Sequence, residues 1–468
     1  MNIEQIYTGC LAQGAYYIES EGEVAIIDPL REVKPYMKRA EKAGAEIMYI
    51  FETHFHADFV SGHLTLAKQS GAQIVFGPTA NPSFDALIAK DNQEFKLGKI
   101  TIIALHTPGH TMESTTYLLR DEEGKDHAIF TGDTLFLGDV GRPDLAQKAA
   151  HMTQEELAGT LFDSLRSKIM PLADEVIVYP AHGAGSACGK NMMKETVDTL
   201  GNQKKMNYAL RANMTREEFI QEVTDGLLPP PQYFPLNVQM NKEGYDDIEE
   251  VLERGTKALS PDAFEAAANE TDAIILDVRH EDDFVKGFVP RSIFIGIDGG
   301  FAPWVGALIA DVKQSILLIA PEGRLEETIT RLSRVGFDHT VGYLDGGFEA
   351  WKTAGKEIDQ IESISATHYQ ENLKEHPTFD VRKVGEYEAE HVEGALNTPL
   401  DYLNDHLAEF PEDDKFYVHC AGGYRSVIAS SLLKSRGIHN LINVAGGMDA
   451  ISQLDIPTTD FSCPTQKS

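Results

Sequence analysis

At 468 residues the chain is too long for one ordinary hydrophobic core, and the usual domain size points to about three domains. Apolar residues at 42% and charged residues at 24% are those of a globular protein. A net charge of −32 repels a phosphate backbone, so nucleic acid is not an expected partner.

No run of about 18 apolar residues occurs, so no membrane span or membrane partner is expected. The start, Met1-Asn2-Ile3-Glu4-Gln5, lacks the basic and apolar regions of a signal peptide. Cys10, Cys188, Cys420 and Cys463 are too few and too scattered for a disulfide framework, and free thiols in a reducing cytoplasm are expected. Cys10 and Cys463 read as packing and tail residues. The sequence leaves the oligomeric state open, a homo-oligomer included.

In chain order, Glu23 to Pro29 reads as an early strand and Val33 to Lys42 as a helix. The apolar run Ile47 to Phe51 reads as a buried strand. It delivers Thr53-His54-Phe55-His56-Ala57-Asp58-Phe59, with His63 shortly after. Imidazole nitrogen and carboxylate oxygen are the usual ligands for zinc and iron, and a loop at a strand end can converge them. The same arrangement recurs three times. Ile100 to Leu105 leads to Pro108-Gly109-His110, His127 to Phe130 leads to Thr131-Gly132-Asp133, and Glu175 to Val178 leads to Pro180-Ala181-His182. One such histidine is more often structural than a ligand, but four strand ends in register point to a metal centre.

Cys188 follows in Gly185-Ser186-Ala187-Cys188-Gly189-Lys190. One reading is a thiol close to the metal, its thiolate favoured by Lys190. The plainer one is a small buried residue in a glycine-rich turn. Pro229-Pro230-Pro231 with Tyr233-Phe234-Pro235 reads as an irregular segment on the domain surface, neither helix nor central strand.

Past about residue 255 an internal repeat begins. Ile274-Ile275-Leu276-Asp277-Val278-Arg279 matches Thr378-Phe379-Asp380-Val381-Arg382. Ile316 to Ile319 matches Phe416 to His419, and each copy closes on a Gly-Gly pair, Gly346-Gly347 and Gly446-Gly447. Strand and helix alternating in this way imply two small α/β domains with parallel sheets. The expected domains are therefore 1–255, 256–358 and 359–468.

The copies differ where chemistry is expected. In the second, Cys420-Ala421-Gly422-Gly423-Tyr424-Arg425 follows a buried strand and opens a helix running to Ser435. Inward backbone N–H groups and the helix N-terminus lower a thiol pKa and cradle an anionic sulfur group. Arg425 offers a charged fork for that group. The loop is one residue short of a phosphatase loop. The first copy has Ala320-Pro321-Glu322-Gly323-Arg324, one residue shorter again, with no cysteine and a carboxylate where an anion would sit. It is expected to be inactive, a spacer or docking element.

The order of the metal-type motifs resembles the metallo-β-lactamase superfamily, which implies an αββα sandwich over about the first half of the chain. That family's pattern is His-x-His-x-Asp-His, then His, Asp and His, usually with two metals. Here Phe59 stands at the second-metal histidine, so one metal is expected. Thr-His-x-His-Ala-Asp, Pro-Gly-His-Thr, Phe-Thr-Gly-Asp-Thr-Leu and Gly141-Arg142-Pro143-Asp144 resemble the persulfide dioxygenase branch. That resemblance implies one iron(II) on His54, His110 and Asp133, a triad that leaves positions open for sulfur and O2. His56, Asp58 and His182 would orient these ligands or add to them, and spacing does not decide whether His56 ligates. Cys188 and Arg142 are the candidates for holding substrate.

Asp-Val-Arg and His391-Val392-Glu393-Gly394-Ala395 resemble rhodanese domains, which carry sulfur as a cysteine persulfide. Together the resemblances imply an α/β multidomain protein, a metallo-β-lactamase sandwich followed by two rhodanese-like domains. The implied activity is oxidation of a small persulfide with O2 to sulfite, coupled through Cys420 to formation of thiosulfate or its reverse. The persulfide of glutathione, coenzyme A, bacillithiol or cysteine would fit. Two alternatives stay open: a zinc hydrolase of the glyoxalase-II kind fused to a sulfurtransferase, and a non-enzymatic sulfur carrier.

Overall fold

The computed structural model describes residues 1–460, the side chains of 148 and 149 excepted, so Cys463 lies outside the described residues. The chain forms two compact units, one holding residues 1–250 with 332–336 and the other the remainder.

The first unit is built on two six-stranded sheets. One runs Asn2–Thr8, Gln13–Ser20, Glu23–Ile27, Glu46–Phe51, Gln73–Phe76 and Leu87–Ile88, antiparallel at first and parallel from Glu23 onward. The other orders Asp198–Thr199, Ile177–Pro180, Asp126–Gly132, Thr115–Arg120, Ile100–His106 and Gln93–Leu97. Strand Ile100–His106 shows why these runs carry little polar alternation. Ile102 and Ala104 face the other sheet, while Ile103 and Leu105 face helices, so both sides are buried.

The core between the sheets holds Ile18, Ile27, Phe51 and Val75 against Ile102, Tyr117, Leu119 and Phe130. Helices Lys34–Ala43 and His63–Ser70 cover one outer face, and Gln154–Ser164 and Arg216–Thr224 the other. This is the αββα sandwich expected from the sequence. The first helix starts with Pro35 in its opening turn and stops at Gly44 with φ 63°.

The segment after Pro231 departs from expectation. Phe234–Glu243 is a helix, with Pro235 in its first turn, where the missing N–H costs nothing. Tyr233 and Phe234 are buried rather than on the surface. A proline-based veto on helix holds for the interior of a helix and not for its start.

The second unit contains two five-stranded parallel sheets of identical order. The first copy runs Ala258–Leu259, Thr340–Leu344, Ile316–Ile319, Ile274–Asp277 and Ile293–Phe294. The second runs Ser363–Ile364, Leu441–Val444, Phe416–His419, Thr378–Asp380 and Leu396–Asn397. The Asp-Val-Arg repeat does the same work in both. Arg279 forks onto Asp277 and donates to the Gly287 carbonyl, and Arg382 forks onto Asp380 and donates to the Glu390 carbonyl. Each fork ties the end of the central strand to the next turn. No helix among the described residues is long and apolar enough to cross a membrane.

Candidate metal centre and cysteine loop

Four strand ends supply the predicted ligands, and they come from both sheets. His54 follows Glu46–Phe51 of one sheet, whereas His110, Asp133 and His182 follow Ile100–His106, Asp126–Gly132 and Ile177–Pro180 of the other. Ligand atoms of His54, His110 and Asp133 lie within 4.8 Å of one another, all buried. His110 Nε2 is 3.4 Å and His54 Nε2 3.9 Å from Asp133 Oδ2.

The far nitrogens fix the tautomers. The Thr53 hydroxyl gives its proton to Asp28 Oδ2 at 2.8 Å, so it accepts from His54 Nδ1 at 3.0 Å. His110 Nδ1 donates to the Arg142 carbonyl at 2.8 Å, and His182 Nδ1 to the Ala12 carbonyl at 3.3 Å. All three therefore carry a proton on Nδ1 and turn Nε2 inward, the nitrogen left for a metal. Burial holds His54 well below the usual imidazole range, and His56, His110 and His182 push it further down.

His182 Nε2 lies 3.4 Å from Asp58 Oδ2 and 3.6 Å from Asp133 Oδ1. Burial pushes His182 down, but these two carboxylates outweigh it and raise it to about 10, a sign of the negative field in the site. Both oxygens of Asp133, Asp58 Oδ1 and His182 Nε2 are buried without a hydrogen-bond partner. Orphaned carboxylate oxygens beside inward-turned imidazole nitrogens are the pattern a cation relieves, so these residues fit a bound metal.

His56 is held differently. Its Nε2 sits 3.1 Å from Asp28 Oδ1 and 3.4 Å from Glu52 Oε2. Burial opposes its charge, yet Asp28 and Glu52 raise it to about 10. Glu52 also faces His63 Nδ1 at 3.4 Å. Phe59 packs against His56, ring centroids 4.3 Å apart and planes tilted by 35°. Asn241 of the helix Phe234–Glu243 donates to the carbonyls of His56 and Phe59, and its own oxygen accepts from Ser61 N. Sequence reasoning missed Asp28, Glu52 and Asn241. Only Glu52, adjoining Thr53-His54, carried a local signal.

Cys188 is buried, with its ligand atom within 4.8 Å of those of Asp133 and His182. The expected help from Lys190 is not there. Lys190 Nζ is bound to the carbonyls of Glu222 and Asp225. Burial, with Asp58 and Asp133 adding to it, pushes the Cys188 thiol well above its ordinary range. Buried Tyr233 belongs to the same neighbourhood, its phenol pushed up by burial and then by Asp58 and Cys188.

Arg142 spends its guanidinium on Asp144, at 2.7 Å twice, and on the carbonyls of Ala187 and Leu228. Its backbone N binds the Cys188 carbonyl. It thus links the His110 ligand to the Cys188 turn. The neighbouring Gly141 is required by space, because a Cβ there would lie 2.1 Å from the Asp133 carbonyl oxygen.

In the second repeat, Cys420 is buried and accepts the Gly423 N–H at 3.1 Å, with Ser426 Oγ 3.6 Å away. Gly423, at φ 110°, leads into the helix Tyr424–Ser435. The loop carbonyls are drawn the other way, Cys420 O accepting from Met448 N and Ala421 O from Asp449 N. Two loop carbonyls thus point away from the sulfur and one N–H, that of Gly423, points to it, the beginning of the cradle expected from the sequence. The Arg425 fork is not free, since Glu386 takes both of its outer nitrogens at 2.7 and 2.8 Å. The sequence carried no signal for that pairing.

The Gly-Gly pair makes this closure physical. Gly447 has φ 51°, and a Cβ would lie 2.3 Å from Cys420 O and 2.4 Å from Ala421 O. Gly447→Ala is expected to cost about 2 kcal/mol of stability in that domain and to loosen the Cys420 loop. Gly347→Ala, at φ 61° with Ala320 O 3.8 Å away, is the milder control. Thermal melting of the two variants checks the difference.

Comparisons with known proteins agree with this architecture. The metallo-beta-lactamase superfamily model matches residues 8–182, and the rhodanese-like domain model matches 260–354 and 365–454. The metallo-beta-lactamase of Staphylococcus aureus subsp. aureus COL, solved by crystallography, is 30% identical with a TM-score of 0.63, covering 74% of this chain and 98% of that one. Human mitochondrial persulfide dioxygenase is 28% identical over 221 residues, 47% of this chain and 78% of its own. The cytoplasmic hydroxyacylglutathione hydrolase of Arabidopsis thaliana is 35% identical over 138 residues, 28% of this chain and 53% of its own. The chain belongs to the metallo-beta-lactamase superfamily, with a persulfide-dioxygenase-like domain followed by two rhodanese-like domains.

Proposed function

We propose that the chain is a bifunctional sulfur enzyme, with domains 1–255, 256–358 and 359–468. The first would oxidise a low-molecular-weight persulfide, with O2 and water, to thiol and sulfite. The last would carry a sulfane sulfur on Cys420, and the middle one would serve as a docking element. The observation that carries the reading is the joint geometry of His54, His110 and Asp133, in a chain that also presents Cys420 beneath the Gly423 N–H.

Iron(II) held by His54, His110 and Asp133 supplies, when bound, the redox chemistry that joins O2 to sulfur. The chain's own residues do the rest. Thr53 and the Arg142 carbonyl keep the two imidazoles in the ligating tautomer. Asp28 and Glu52, 3.1 and 3.4 Å from His56 Nε2, hold that ring in place beside the site. Asp58 and His182 lie beside Asp133 and are available to orient a ligand or a substrate sulfur. Cys188 faces the same centre, its sulfur within 4.8 Å of ligand atoms of Asp133 and His182, where it can contact a persulfide. Arg142 acts by position, since its guanidinium is already committed.

At the other site, Gly423 N–H and the helix N-terminus support the Cys420 thiolate as it accepts sulfur. Sulfite from the first reaction would collect it as thiosulfate. Three unpaired cysteines among the described residues fit a reducing, cytoplasmic setting. The likeness to a hydroxyacylglutathione hydrolase favours one other reading, a zinc thioester hydrolase on the same ligands.

The discriminating experiment adds glutathione persulfide to anaerobically purified protein and follows oxygen, with metal content read on the same sample. Uptake that scales with iron is the expected result. A zinc-loaded protein that cleaves thioesters and takes up no oxygen with any persulfide would establish the hydrolase instead.

A further inference from the structure

The positive charge that the Cys420 loop itself carries, Arg425, is already paired. Arg425 stands in the first turn of the helix that the loop opens, and both outer guanidinium nitrogens are paired with the Glu386 carboxylate. Glu386 comes from a different element, the helix Val384–Ala389, where it also accepts the Lys383 N–H. The pairing is not inherited with the repeat. In the cysteine-free copy Arg324 pairs with Asp298 and with Glu327 of its own helix. A second carboxylate stands at the rim of the loop, Asp449, whose Oδ2 lies 3.3 Å from where a Cβ on Gly422 would be.

Two reactions at Cys420 differ in what they ask of this fork. In the first, the thiolate attacks the outer sulfur of R–S–SH. The new S–S bond forms, the old one breaks, R–S⁻ leaves, and Cys420 keeps S–SH. In the second, the sulfur lone pair of sulfite attacks that outer sulfur. The Cys420 S–S bond breaks, its electron pair goes to the Cys420 sulfur, the proton moves there from the outer sulfur, and thiosulfate leaves as a dianion. A dianion bound in the loop needs the Arg425 fork, whereas a sulfane sulfur on a neutral or singly charged thiol does not.

We propose that Glu386 is the specificity-determining residue of the Cys420 site, a built-in competitor that sulfite and thiosulfate must displace from Arg425 and that persulfide donors need not. The inference rests on the sulfurtransferase reading above. It makes the loop a selective acceptor of persulfide sulfur, with release to sulfite governed by how much sulfite is present. The carboxylate is in place throughout the neutral range, since Arg425 holds Glu386 below the usual carboxylate range.

The test uses the full chain with Glu386→Gln, which keeps an oxygen for the Lys383 N–H. The KM for sulfite is expected to fall about tenfold, with kcat and the KM for glutathione persulfide unchanged. Glu386→Asp, one methylene short of the fork, is expected to fall between. Binding gives a readout free of turnover. Thiosulfate titrated calorimetrically into Cys420→Ser is expected to bind about tenfold more weakly than into the same protein carrying Glu386→Gln. Adding Arg425→Gln is expected to erase that gain. Equal sulfite KM and equal thiosulfate affinity with and without Glu386→Gln would overturn the proposal, as would a gain that survives Arg425→Gln. A wild-type chain that transfers no sulfur overturns the sulfurtransferase reading, and the thiosulfate titration still decides the role of Glu386.

Discussion

A His110→Ala chain is expected to lose its metal and its oxygen uptake together, with metal retention weakened at least about a hundredfold. The reason lies in how little else can take over. Asp133 is shared among His54, His110 and His182, and the closest imidazole nitrogen to its Oδ2 in these contacts is that of His110, at 3.4 Å. The substitution removes that nitrogen and also strands the Arg142 carbonyl, whose position depends on the His110 N–H. The effect should reach stability as well. His54 comes from one sheet of the sandwich and the other ligands from the second, so a bound metal ties the two sheets and binding energy becomes folding energy. Metal analysis, an oxygen electrode and a melting curve on the same preparation check all three statements. A variant that is free of iron yet takes up oxygen would contradict the ligand set.

Cys420→Ser is expected to separate the two activities. Formation of thiosulfate should fall on the order of a thousandfold or more, because a serine hydroxyl neither ionises near neutrality nor holds a sulfane sulfur. Oxygen uptake with added persulfide should persist, with sulfite accumulating in place of thiosulfate. The replacement is nearly isosteric, and Gly423 N–H and Ser426 Oγ remain as partners for the new hydroxyl, so the loop should stay folded. Chromatographic measurement of sulfite and thiosulfate beside the oxygen trace reads the outcome. Thiosulfate formed at the wild-type rate would remove Cys420 from the reaction.

How far the sequence reached depended on the range of the interaction. Strand-end ligands were legible because a short apolar run followed by a turn is a local pattern, and His54, His110, Asp133 and His182 each sit in one. The repeat was legible for the same reason, since Asp277-Val278-Arg279 and Asp380-Val381-Arg382 carry their fork within three residues. What escaped was pairing between distant segments. Asn241 reaches back to the metal loop across more than 180 positions, and Glu386 reaches Arg425 across 39. Lys190 was misread in the other direction: adjacency in sequence suggested a partner for Cys188, but a lysine stem is long enough to carry its charge to the Glu222 and Asp225 carbonyls. Phe234 and Pro235 were misplaced because the rule that proline excludes helix was applied at a helix start.

Tyr424 stands between Gly423 and Arg425, yet its side chain belongs to the neighbouring repeat. Its hydroxyl donates to the Gly296 carbonyl at 2.7 Å, and a Cβ on Gly299 would lie 2.3 Å from its ring. Ser431, one face along the same helix, accepts the Phe294 N–H at 2.9 Å. The cysteine-free copy therefore has a mechanical hold on the loop of the copy that carries one. A chain cut back to the second repeat alone would leave an aromatic ring and a helix face bare to water, so the cysteine-free repeat acts through the surface it covers.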